Sequence, residues 1–202
     1  LIIETDDKQI LKDLELIYLK GTDRELVKNN PGLLSYFRPM PIVLQGTVKG
    51  SHPPKWQTDN SQWLKDCYGY DNWYEWAITK WGTKWDVHEM EIIHNQKTFI
   101  ELEFETAWEP PVEALQYWIE SNELHFEENF KCYLSYVEPG VDFCGVYVGH
   151  EDKTYHQSEY SNNRDLPDIP KNQDSWVRDT VEAYLFEDDE YHNERLKEVQ
   201  NG

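Results

Sequence analysis

Apolar residues recur along this chain in two periods, and the switches between them mark out its elements. Leu1-Ile2-Ile3-Glu4-Thr5 is a short apolar run closed by polar residues, which predicts a first strand. Thr5 or Asp6 then caps a helix whose Ile10, Leu11, Leu14, Ile17 and Tyr18 fall at three- and four-residue spacing, with Gly21 ending it. Residues 22–60 hold Pro31, Pro39, Pro41, Pro53 and Pro54 and read as a long irregular insertion. Helical spacing returns from Ser61 to Gly82, with one stripe of Trp63, Cys67 and Tyr70 and a second of Trp73, Trp76, Ala77 and Trp81. Alternation follows over Val87–Ile93 and Thr98–Thr106, joined by a hairpin at 94–97. Pro110 and Pro111 open another helix, with Val112, Leu115, Trp118 and Ile119 on its inner face. Phe126–Val137 and Val141–Gly149 read as strands hinged at 138–140, and Lys153–Ser161 as one more. After a polar stretch at 162–173, Asp174 or Ser175 caps a last helix. Its Trp176, Val177, Val181, Tyr184 and Leu185 face inward and its carboxylates face water.

Strand, helix, two strands, helix, strand is the ferredoxin-like order. The fold class expected is therefore α+β: a ferredoxin-like antiparallel sheet with helices on one face, plus an acidic C-terminal helix. The domain expected spans 1–161, interrupted by the insertion at about 22–60, and 162–202 forms a linker and the acidic helix. A chain of 202 residues buries enough surface to fold without a metal or disulfide.

Charge changes this picture most. The net charge is −20, and it is lopsided. Residues 1–100 carry 14 acidic and 12 basic side chains; residues 101–202 carry 25 and 7. Such a chain repels nucleic acid and anionic membrane, because the phosphate attraction that drives such binding changes sign. It favours a basic partner. No apolar run approaches the ~20 residues that span a bilayer. Cys67, Cys132 and Cys144 are odd in number and form no Cys-x-x-Cys, which points to a reducing compartment. The chain begins at Leu1 and not at Met, so a short N-terminal piece is expected ahead of it.

The tryptophans cluster. The run Asn72-Trp73-Tyr74-Glu75-Trp76-Ala77-Ile78-Thr79-Lys80-Trp81-Gly82-Thr83-Lys84-Trp85-Asp86 has a companion in Phe104-Glu105-Thr106-Ala107-Trp108-Glu109-Pro110-Pro111. Together they resemble the signature of the YubB-like ferredoxin-like domain family of phage- and plasmid-borne proteins. Tyr36-Phe37-Arg38-Pro39-Met40-Pro41 resembles a segment that precedes it. The resemblance covers about residues 1–150 and implies a ferredoxin-like fold, a mobile-element origin and a bacterial cytoplasmic setting. It implies no activity, since the family's biochemical role is not established. In the residues themselves, Gly82 permits a turn between indoles, so this block reads either as a rigid clamp at one end of the sheet or as a ligand site lined by Trp81, Lys84, Trp85, Asp86 and Trp108.

The strand over 99–106 alternates Ile100, Leu102 and Phe104 with Glu101, Glu103 and Glu105, and Glu89 and Glu91 extend the acidic face. Alternate strand residues stand about 6.8 Å apart. That is two steps of the ~3.4 Å charge repeat along one DNA strand. The partner-binding residues expected are Glu101, Glu103, Glu105, Glu127, Glu128, Asp179, Glu182, Glu187, Asp188, Asp189 and Glu190. They would pair with the Arg and Lys that ordinarily hold phosphates. No metal or other cofactor is expected: the carboxylates lack EF-hand spacing, and the histidines are scattered. P-loop, dinucleotide and nucleophile-elbow motifs are missing, and Cys132 and Cys144 read as small core residues. The reading is a non-enzymatic phage or mobile-element protein that inhibits a basic host defence protein by acidic mimicry of nucleic acid. The alternative is a small-molecule, nucleotide-type binder using the tryptophan loop.

Overall fold

Ile3, Ile100 and Leu102 are almost wholly buried, and the strands that carry them form the middle of the first half of the protein. A computed structural model describes residues 1–21, 32–87, 89–122, 130–148 and 150–156. The chain is α+β, and its strand pairings are antiparallel. It divides into two units, Leu1–Cys132 and the residues from Tyr133 onward.

In the first unit β1 (Ile2–Glu4) leads to α1 (Lys8–Gly21), whose Ile10, Leu11, Leu14 and Ile17 are buried as the spacing requires. The region read as irregular contains, in its described part, α2 (Leu33–Phe37), α3 (Ile42–Gln45) and α4 (Lys55–Asp59). Pro41 and Pro54 sit immediately before α3 and α4, where a missing N–H costs nothing. The helical stretch 61–82 is two helices, α5 (Ser61–Tyr68) and α6 (Trp73–Trp81). They part at Gly69, whose φ is +82°, and Asn72 caps α6 by accepting the Glu75 N–H at 3.0 Å. Beside that break Asp71 accepts from Ser61 at 2.5 Å and pairs with Lys65 at 3.0 Å. The Ser61 hydroxyl foremost, with Asn72 and Lys65, holds the Asp71 carboxyl down at about 2.

β2 (Met90–Gln96) and β3 (Phe99–Phe104) follow, then α7 (Val112–Asn122). β3 lies between β2 and β1, the order of a ferredoxin-like sheet. The β2–β3 turn is Lys97-Thr98, so of the expected hairpin residues 94–97 only Lys97 lies in it. His94, Asn95 and Gln96 instead pair in the ladder, because a bulge at Ile93 shifts the register by one. α1 packs on β2, and α7 packs on α2 and α6. Trp118 of α7 centres an aromatic core, 4.9 Å from Phe37, 5.9 Å from Tyr36 and 5.6 Å from Phe130 between ring centres.

β4 (Lys131–Glu138) runs on into the second unit, a meander with β5 (Phe143–Val148) and β6 (Glu151–Tyr155). Gly145 faces Tyr136 across the ladder, and a Cβ there would collide with the Tyr136 ring. The Tyr136 hydroxyl bonds Asp152 at 2.7 Å and Thr154 at 2.9 Å. Cys132 and Cys144 are buried, and burial pushes both thiols up to about 12. The expected C-terminal helix lies outside the described residues.

Candidate functional site

The acidic row comes first. Residues opposite one another on paired strands share a face. Phe99, Glu101 and Glu103 of β3 therefore share one with Gln96, His94 and Glu91 of β2 and with Glu4 and Ile2 of β1. Ile100 and Leu102 point to the other face, into the core. Two of these carboxylates are occupied. His94 Nδ1 stands 2.7 Å from Glu101, and Lys131 Nζ stands 2.9 Å from Glu4. Glu91 and Glu103 are not: they are exposed, directly opposed in register, and without an ion pair among the described residues. Like charges in that position destabilise a sheet by roughly 0.2–1 kcal/mol. Glu105, expected inside the strand, lies just past the end of β3, and Glu89 just before β2; both are exposed. Glu127, Glu128, Asp179, Glu182, Glu187, Asp188, Asp189 and Glu190 lie outside the described residues.

One end of this face opens into a polar depression of about 540 Å³, lined by Glu4, Thr5, Asp6, Gln96, Thr98, Phe99 and Lys131. Nothing in the sequence pattern signalled it, since its walls come from three separated segments. Among the described residues no group of His, Cys, Asp and Glu is arranged to hold a metal ion.

The tryptophan block splits into two halves with different surroundings. Trp81 is 4% exposed. Its Nε1 donates to the Arg38 carbonyl at 2.8 Å, and its ring meets Trp76 edge-on at 5.4 Å. Gly82 has a φ of +81°, and a Cβ there would press on Pro110 O and the Glu113 carboxylate. Thr83, buried, ties the two motifs together. Its Oγ1 donates to Ala107 O at 2.8 Å and accepts the Ala107 N–H at 3.0 Å. Asp86 receives the Leu34 and Ser35 N–H groups on its two oxygens at 2.7 and 2.9 Å, anchoring the start of α2.

The other half faces outward. Trp85 is 52% exposed, and Lys84 Nζ sits 4.6 Å from its ring centre. Trp108 is 71% exposed, and its φ is +78°, a left-handed conformation unusual for a large side chain. Thr106 Oγ1 donates to Glu109 O at 2.9 Å and closes the turn that carries it. Of the five residues expected to line a pocket, Trp81 and Asp86 are engaged by the fold, while Lys84, Trp85 and Trp108 reach the surface.

No family model, no curated protein and no solved structure matches the chain. Its resemblance to the YubB-like family rests on the motif residues alone. Among the described residues no helix is long and apolar enough to cross a membrane.

Proposed function

We propose that this chain is a non-catalytic inhibitor that occupies the nucleic-acid site of a basic host defence protein. The resemblance of the tryptophan motifs to the YubB-like family supports a phage or other mobile element as the setting and the bacterial cytoplasm as the compartment. One observation carries the reading. Glu91 and Glu103 face each other on paired strands, exposed and without an ion pair among the described residues. A sheet gains nothing from that pair, whereas a partner with Arg or Lys in a phosphate groove would. Residues 101–202, with 25 acidic against 7 basic side chains, add a field of the same sign.

The test is competition. Host proteins captured on the immobilised chain at low salt are eluted, identified and offered a DNA duplex. Mutually exclusive binding, weakened steeply by salt and abolished by reversing Glu91, Glu103 and Glu105 to Lys, is expected. A captured partner that holds the duplex and this chain together, or an affinity indifferent to salt, contradicts the reading.

The tryptophan loop supports a second reading, a binder of a nucleotide-type ligand, because Trp85 remains exposed with Lys84 against its ring, and Trp108 is exposed as well. A change in tryptophan fluorescence on adding nucleoside phosphates, lost in Trp85→Ala, is its signature.

A further inference from the structure

Trp108 is placed at a cost. A residue with a Cβ is disfavoured at positive φ, and an indole is disfavoured in water. Yet its position is fixed rather than loose: Thr83 grips Ala107 by two hydrogen bonds on one side, and the Thr106–Glu109 bond closes the other. Trp108 also lies four residues past the end of β3, with the exposed carboxylates of Glu105 and Glu109 on either side of it in sequence.

Elsewhere on this unit exposed and half-exposed rings take cations. Arg38 lies over Tyr117 at 4.2 Å, Lys49 over Tyr74 at 4.6 Å and Lys84 over Trp85 at 4.6 Å. Trp108 makes no ring or cation contact among the described residues. Indole is the strongest of the aromatic faces for a cation, and the acidic side chains near it in sequence favour a cationic occupant over an anionic one. A planar guanidinium satisfies both, stacking on the ring while its N–H groups reach the carboxylates.

We infer that Trp108 is an anchor beyond the end of the acidic strand, an exposed indole held in place to stack on an arginine of the basic partner while Glu105 and Glu109 accept its hydrogen bonds. The inference deepens the proposed function and rests on it.

The probes are fluorescently labelled nona-arginine and nona-lysine peptides, titrated at low salt against wild type, Trp108→Gly, Trp108→Phe and the double variant Glu103→Lys with Glu105→Lys. The ratio of nona-arginine to nona-lysine affinity is expected to fall about two- to fivefold in Trp108→Gly and to be largely kept in Trp108→Phe. Trp108→Gly is expected to melt no lower than wild type, since glycine adopts this φ freely, so the loss cannot be unfolding. The charge-reversed variant is expected to lose affinity for both peptides. If it does not, the acidic reading fails, independently of the arginine ratio. An unchanged ratio in Trp108→Gly overturns the inference, as does failure of wild type to bind either peptide. A wild-type dimer that Trp108→Gly converts to monomer also overturns it, because the indole's occupant would then be a second copy.

Discussion

Asp86 and the pair Glu91–Glu103 carry the same chemical group in opposite circumstances. Both oxygens of Asp86 receive backbone N–H groups from α2, fifty-odd residues away in sequence. Glu91 and Glu103 face one another across a sheet with no ion pair among the described residues. The tryptophan block repeats the contrast, with Trp81 sealed inside and Trp108 held outside. Residues bound inward serve the fold, and their loss is read in stability. Residues held outward at a cost to the fold serve something else, and their removal leaves stability intact or raises it.

Substitutions that break the inward set should have the largest effects. Trp81→Ala leaves a cavity and an orphaned Arg38 carbonyl, and should cost about 4 kcal/mol in urea unfolding. Asp86→Ala removes two charge-assisted bonds and should cost about 2–3 kcal/mol. Asp71 belongs to the same inward set and makes its contribution visible through pH. Its carboxyl titrates at about 2 when folded, below the ordinary 3.8. The stabilisation is therefore complete above about pH 4 and is lost as pH falls toward 2. Asp71→Asn should flatten that part of the acid limb in melts recorded across the range. For the outward set the sign reverses. Trp108→Gly should raise stability by about 0.5–1 kcal/mol, as relief of a left-handed side-chain conformation outweighs the lost indole contacts. A fall of that size or more would place Trp108 with the inward set.

Much of this arrangement is legible in the sequence. Ile10, Leu14 and Ile17 fixed the buried stripe of α1 by their spacing, and Ile100 and Leu102 gave the inward face of β3 by alternation. The ferredoxin-like order followed from element succession. Three things were not legible, each for a physical reason. The bulge at Ile93 moved the hairpin turn, because polar His94, Asn95 and Gln96 look like a turn and yet sit on exposed ladder positions. α3 and α4 are hidden because proline reads as a breaker, although just ahead of a first turn it is a starter. The division of the tryptophan block depended on contacts far apart in sequence, such as Trp81 with Arg38 and Thr83 with Ala107, which local pattern does not encode.

The smallest expected effect bears most directly on the central claim, that the carboxylates of the β2–β3 face are kept against the interest of the fold. Urea unfolding of the double variant Glu91→Gln with Glu103→Gln should show a gain of roughly 0.2–1 kcal/mol at low salt. That gain should shrink as salt screens the repulsion in the wild-type protein. A loss of stability at low salt would mean that these two carboxylates hold the sheet together, and would contradict the account.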